Sequence, residues 1–243
     1  IKDYKRGWAD LTRFFSSTDM RALRLGGGTG TGIYLLRLII KRYREKFPDA
    51  LTEERTDISE ELIRSVASQT WESLDLAIVG KLPPSSLRAS VECQEIFVDR
   101  SVLVVPRDHP LSGKNSISED ELVGFFNDGP LFISRPKGSG AYEAMLKYLE
   151  PLLGRNETQV LLNRIVAPNM NDVREFVSQG HGVSIMPKVI VKEEISAGKL
   201  WAVTIPGDAT RPFYGVWTKT RQRWSVLEDF IMSMKDGLNF LNE

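Results

Sequence analysis

Leu23-Arg24-Leu25-Gly26-Gly27-Gly28-Thr29-Gly30-Thr31-Gly32 is the stretch from which the rest of the chain is read. A short apolar strand, Leu23–Leu25, runs into a glycine-rich turn. Behind the turn, Leu35, Leu36, Ile39, Ile40, Tyr43 and Phe47 recur at helical spacing until Pro48 stops the helix. Strand, glycine turn and long helix open a β-α-β unit, with a parallel sheet and a right-handed crossover. The N–H groups at a helix start are unpaired and carry partial positive charge, so they bind anions. Small residues let a ligand approach the backbone closely. The spacing does not complete G-x-G-x-x-G, because Thr31 and Ile33 fall where the last glycine belongs, and no Gly-Lys-Ser/Thr follows. Nucleotide binding is therefore not expected. Two readings stay open: a tight turn without a ligand, and a site for a small anion or polar metabolite.

Outward from this stretch the pattern alternates. An extended segment near Ala50–Thr56 precedes a helix opened by Ser59-Glu60-Glu61-Leu62 and ending before Trp71. Leu76–Val79 is a short buried strand between Asp75 and Gly80. Extended segments follow at Ile96–Val98 and Ser101–Pro106, and Ser118-Glu119-Asp120-Glu121 is a capping box for a short helix. A second β-α-β-α-β unit then reads as strand Leu131–Ile133, a helix from Ser139-Gly140 to about Leu153, strand Val160–Leu162, helix Asn171–Gln179 closed by Gly180, and strand Val183–Met186. A helix over Lys188–Ala197, strands Leu200–Ile205 and Phe213–Thr218, and an amphipathic helix carrying Val226, Phe230, Met234 and Leu238 complete the chain. Two α/β units in tandem suggest two lobes around a cleft, with ligands at the carboxyl ends of the strands. Residues 1–22 stand apart. Trp8, Leu11, Phe14 and Phe15 mark an amphipathic helix, which either lies on the main domain or serves as a linker or dimer helix.

Composition narrows the chemistry. The 243 residues include 32 Lys plus Arg and 32 Asp plus Glu, so the formal net charge is zero, a poor basis for holding nucleic acid. Cys93 is the single cysteine, which excludes a disulfide framework and a four-cysteine zinc site and favours a reducing cytoplasm. No run of eighteen apolar residues provides a membrane helix. Neither His109 nor His181 has a recognisable Ser, Cys or carboxylate partner, and there is no G-x-S-x-G elbow. The glutamates flanking Cys93, Glu92 and Glu95, would raise its thiol pKa. No catalytic residue, metal site or cofactor is therefore assigned. Three positions join the first glycine turn as candidates. Lys137-Gly138-Ser139-Gly140 lies between a strand and a helix, with Ser139 as N-cap. Asn169 precedes the helix near Asp172, and Gly80-Lys81 ends a strand where the lysine faces either the cleft or solvent.

From Leu23 to Thr220 the chain resembles the effector-binding domain of LysR-type transcriptional regulators. The resemblance rests on Leu23-Arg24-Leu25-Gly26, Phe47-Pro48-Asp49, Leu74-Asp75-Leu76-Ala77-Ile78 and Val104-Val105-Pro106-Arg107-Asp108-His109-Pro110-Leu111. The run Phe176-Val177-Ser178-Gln179-Gly180-His181-Gly182-Val183-Ser184-Ile185-Met186-Pro187 is the most telling, followed by Gly198-Lys199-Leu200 and Val216-Trp217-Thr218-Lys219. It implies an α/β fold of two Rossmann-like lobes with the type 2 periplasmic-binding-protein architecture and a small effector between them. Residues 23–104 and 212–243 would form lobe I, and 105–211 lobe II, after a linker or dimerisation helix at 1–22. It further implies a cytoplasmic homodimer, tetrameric at full length, whose DNA contact comes from an N-terminal winged helix-turn-helix that residues 1–22 are too short to supply. On this reading the chain is a fragment. The positions that correspond to the family's effector contacts are Gly28, Thr29, Gly30, Thr31, Gly80, Ser139 and Asn169. The expected partner is a small anionic or carboxylate effector, with no membrane and no cofactor. The alternative is a solute-binding protein for transport, which shares the fold.

Overall fold

A computed structural model describes residues 22–70, 72–219 and 225–239. The helix expected over 1–22 lies outside these except for Ala22. Strand β1 (Leu23–Gly28) is the middle of three parallel strands, between β2 (Thr52–Asp57) and β3 (Leu76–Val79). It does not stop at Leu25. Gly26, Gly27 and Gly28 continue the ladder, and only Thr29-Gly30 turns. These glycines bring backbone against backbone. A Cβ at Gly27 would lie 2.5 Å from Ile33 Cα, and one at Gly32 would lie 2.7 Å from the Ile78 carbonyl. Helix α1 (Thr31–Lys46) therefore sits directly on β1 and β3, with Leu35, Leu36, Ile39, Ile40 and Tyr43 buried. On the other face α2 (Ser59–Ser68) buries Leu62, Ile63 and Val66. Each such side chain contributes about 1.5–3 kcal/mol by leaving water.

The expected segments 96–98 and 101–106 are one strand, β4 (Val91–Pro106), sixteen residues long. At about 3.3 Å per residue it spans roughly 50 Å. It joins the two halves. Val91 to Arg100 pair antiparallel with β9 (Thr210–Thr218), across a bulge between Glu95 and Phe97. Ser101 to Val104 pair with β7 (Ser184–Pro187), and Leu103 to Pro106 with β8 (Leu200–Val203). β9 in turn lies antiparallel to β3.

The second half holds α3 (Glu119–Asn127), β5 (Ile133–Ser134), α4 (Gly140–Leu153), α5 (Arg155–Leu162), β6 (Ile165–Val166) and α6 (Met170–Ser178). β5 and β6 are parallel, and a parallel bridge from Phe132 to Val183 ties β5 towards β7. The β-α-β-α-β order stands, but its middle strand is misplaced in the sequence reading. Val160–Leu162 belongs to α5, where Thr158, Leu161 and Leu162 form the buried face, and the strand follows at Ile165–Val166. The helix expected over 188–197 is a 3-10 segment, Lys188–Val191, followed by short α7 (Lys192–Ser196). Helix α8 (Ser225–Asn239) returns Phe230 and Met234 to the first half. The largest apolar cluster runs from α1, β1 and α8 through β4 to α6 and β7, so the two lobes share a spine of core at the crossing strands.

Candidate functional site

The carboxyl ends of the parallel strands collect the candidate residues. On the first lobe, the Thr29 N–H donates to the Asp57 carbonyl at 3.3 Å, and its side chain is exposed. Gly30 has φ 92°, a conformation that favours glycine, and nothing lies within 4 Å of where a Cβ would be. Helix α1 starts with no side-chain cap and no acidic residue in its first turn, so its positive end is uncompensated. Thr31 is buried in that turn. Gly28 lies inside the strand rather than in the turn, beside Ser59 Oγ, which accepts from the Gly80 N–H at 3.4 Å. Lys81, next in the chain, is exposed.

On the second lobe, Ser139 caps α4 by accepting from the Tyr142 N–H at 3.2 Å. Asn169 caps α6 by accepting from the Asp172 N–H at 3.0 Å, while its amide donates to the Asp172 carboxylate at 2.7 Å. The Ala167 N–H donates to the Ser134 carbonyl, so the ends of β5 and β6 are adjacent and both helix starts open on one edge.

Arg211 joins the two walls. It lies on β9 opposite Asp99 of β4. Its guanidinium fills the space beside Gly80, where a Cβ would meet Cζ and Nε at 2.9 Å each. A Cβ at Gly140 would lie 3.1 Å from Nη2, and Nη1 donates to the Gly140 carbonyl at 3.3 Å. The missing side chain at Gly80 therefore makes room for an arginine. Burial lowers the Arg211 pKa and Asp99 opposes that shift, while Phe213 offers its ring at 5.2 Å. Asp99 itself is 3% exposed. Burial pushes its carboxyl up to about 7, against backbone N–H groups of Val189 and Arg100 and the charge of Arg211. A second arginine, Arg135, follows β5 directly. It is 7% exposed, and its Nε is buried without a hydrogen-bond partner. Burial depresses its pKa, with Asp172 opposing.

The structure thus brings Gly28, Ser59 and Gly80 together, and sets Gly80 across Arg211 from Gly140, the neighbour of Ser139. Nothing in it ties Lys81 to that group. Arg211, Arg135 and Asp99 escaped the sequence reading. The only sequence signal was a charged residue abutting each strand end, Arg211-Pro212 before Phe213 and Arg135-Pro136 after Ser134.

Other ionisable groups have structural roles. His109 Nδ1 accepts from the Leu111 N–H at 3.1 Å, and burial lowers the ring's pKa. His181 is exposed beside Gln179. The Cys93 thiol is raised, but by partial burial rather than by its flanking glutamates. Among the described residues no three His, Cys, Asp or Glu side chains converge as metal ligands, and no helix is long and apolar enough to cross a membrane. A surface hollow of about 480 Å³ lined by Arg88, Cys93, Trp217 and Lys219 lies at the opposite end of the sheet, since Trp217 pairs with the first residue of β3.

The profile of the LysR substrate binding domain matches residues 16–239. A curated relative, the "Probable RuBisCO transcriptional regulator" of Cyanidium caldarium, is 25% identical over 90% of this chain and 68% of its own length. Across the curated relatives matched over 72% or more of this chain, it spans between 52% and 68% of their length. A full-length OxyR variant from Pseudomonas aeruginosa superposes with a TM-score of 0.72 at 18% identity, covering 97% of this chain and 73% of that one. The CcmR regulatory domain of Synechocystis, solved in complex with 2-PG, superposes at 0.62 and 22% identity, covering 88% and 96%. The matched profile takes in both lobes and the crossing strands between them, and the chain belongs to the LysR substrate binding domain family.

Proposed function

We propose that the chain senses a small polar or anionic metabolite held between its lobes, and that the whole protein uses this to control transcription. The observation that carries the reading is Arg211, a partly buried guanidinium that touches Gly80 on one lobe and bonds Gly140 on the other. An anion entering beside it competes with the Gly140 carbonyl for the same donors. A ligand that prefers one lobe arrangement shifts the population towards it, and a coupling of about 1–3 kcal/mol is enough for regulation. The uncapped start of α1 adds a second attraction for negative charge. Thr29, Gly30, Thr31 and Gly28 line this side, with Gly80 and Lys81 at the end of β3 and Ser139 and Asn169 opposite.

The lobes divide as residues 23–104 with 212–243, and 105–211, a division supported by the change of pairing partners along β4 near Ser101. DNA contact then comes from an N-terminal domain, the assembly is a homodimer or tetramer, and the site of action is the cytoplasm. The relatives' names support regulation and lend nothing to transport. The solved relative with 2-PG supports a small ligand. The reading needs no catalytic step.

The test is thermal unfolding of the chain against a panel of carboxylates, sulfate and amino acids. At one hundred times Kd a ligand stabilises by about 2.7 kcal/mol, which is roughly 5–10 °C for a chain of this size. The expected result is such a shift with at least one anion, halved or abolished in Arg211→Gln. A flat response across the panel at saturating concentration overturns the reading.

A further inference from the structure

Besides Arg211, a second arginine, Arg135, is held in the second half of the fold. Arg135 is among the few buried charged residues and follows β5 directly, at the strand's carboxyl edge. Its Nε is enclosed and has no acceptor. Leaving a buried donor unsatisfied is costly, and a side chain retained in that condition points to an acceptor that arrives from outside. Asp172, in the first turn of α6, opposes the fall that burial imposes on the Arg135 pKa. The Asp172 carboxylate is already bonded to the Asn169 amide at 2.7 Å and forms no ion pair with Arg135 among the described residues. Two helices longer than two turns, α4 and α6, begin at this edge and direct backbone N–H groups and positive dipole ends towards it. Arg135 and Gly140 are separated by a single turn, closed by the Ser139 N–H donating to the Pro136 carbonyl at 3.1 Å, and Gly140 is the residue that Arg211 bonds.

We propose that the cleft recognises a compact ligand with two anionic groups, one received by Arg211 between Gly80 and Gly140 and the other by Arg135 at the carboxyl end of β5. The proposal rests on the effector reading of the cleft and names its ligand class. A monoanion satisfies one guanidinium and leaves the other as it is. A short dicarboxylate, or a carboxylate joined to a phosphate, satisfies both. Bidentate donation by each guanidinium fork to one anionic group fixes the ligand's orientation as well as its charge.

The test uses the 243-residue chain, titrated calorimetrically at neutral pH and low ionic strength. The probes are oxalate, malonate, succinate and glutarate, each against its monoamide, which keeps length and shape and removes one charge. The expected result is that at least one dianion binds ten-fold or more tightly than its own monoamide. Arg135→Met should bring that pair within two-fold of each other while leaving the monoamide close to its wild-type affinity. Arg135→Lys should retain part of the preference, and Arg211→Gln should weaken both members. The wild-type comparison needs no variant to fold, and circular dichroism checks those that are used. If every monoamide binds as well as its parent, or if the preference survives in folded Arg135→Met, the two-point proposal is overturned. Should monoamides bind in an Arg211-dependent way without a dianion preference, the sensor reading stands and only this proposal falls. If no probe binds at tens of millimolar, this proposal falls, and the sensor reading is decided by the thermal panel of carboxylates, sulfate and amino acids.

Discussion

An arginine carries five N–H donors in a fixed fork, and among the described residues the Arg211 guanidinium makes one hydrogen bond, to the Gly140 carbonyl. What keeps the head in place is the absence of a side chain at Gly80. This separates two kinds of glycine in the chain. At Gly80 an added Cβ meets only the far end of a flexible side chain, so Gly80→Ala should cost the fold less than about 1 kcal/mol while pushing the guanidinium out of its seat. Anion affinity should fall about ten-fold or more with little change in melting temperature, measurable by calorimetry and thermal unfolding on one sample. At Gly27 the same methyl group meets the Ile33 backbone, so Gly27→Ala should lower stability by about 1–3 kcal/mol through overpacking. If both substitutions behave alike, the distinction between ligand room and packing room is wrong. Sequence alone does not tell a glycine that packs backbone on backbone from one that turns the chain, so the run from Gly26 to Gly32 reads as a single turn. Gly26 to Gly28 are strand, held open for a helix to lie against, and Thr31 and Gly32 already belong to that helix.

At the scale of elements, what was legible depended on whether the signal was local. Ser118 caps α3 with the full reciprocal arrangement expected of Ser-x-x-Glu: its hydroxyl accepts from the Glu121 N–H at 3.3 Å, and the Glu121 carboxylate accepts from the Ser118 N–H at 3.0 Å. Hydrogen bonds from Lys114 and from that N–H hold the Glu121 carboxyl down to about 2. Ser118→Ala should remove about 1 kcal/mol, seen as a melting temperature lower by roughly 2–4 °C. No change would mean that the helix start is held by other contacts. Parallel strands such as Leu76–Val79 were equally plain, because burial on both faces leaves an unbroken apolar run. The failures have the same physical root. Val160-Leu161-Leu162 is an apolar run too short to distinguish strand from the last turn of a helix. The opening of β4, Val91-Glu92-Cys93-Gln94-Glu95, has largely exposed side chains and is a strand only because β9 lies alongside it. The roles of Arg135 and Arg211 come from what distant segments place around them, and composition does not record that.

For the molecule as a whole, the decisive place is where β4 and β9 cross between the lobes, and a buried acid sits there. Asp99 lies opposite Arg211 and takes N–H groups from Val189 and Arg100, yet burial still lifts its carboxyl to about 7. In an unfolded chain the same carboxyl ionises near 4. Between those two values the folded molecule binds a proton that the unfolded chain has released, so unfolding free energy falls as pH rises. The stabilisation is fully present below about pH 4 and is lost as pH rises through about 7. Asn in this position resembles the protonated acid and does not titrate. The Asp99→Asn variant should therefore be more stable than wild type at pH 8, with the advantage shrinking steadily towards pH 5. Comparing the two proteins at each pH cancels the other titrating groups, since only one side chain differs. Thermal unfolding at half-unit steps gives the curve. A difference that stays constant with pH would mean that Asp99 is ionised in the fold throughout. In that case the charge of Arg211, rather than burial, would govern the crossing between the lobes.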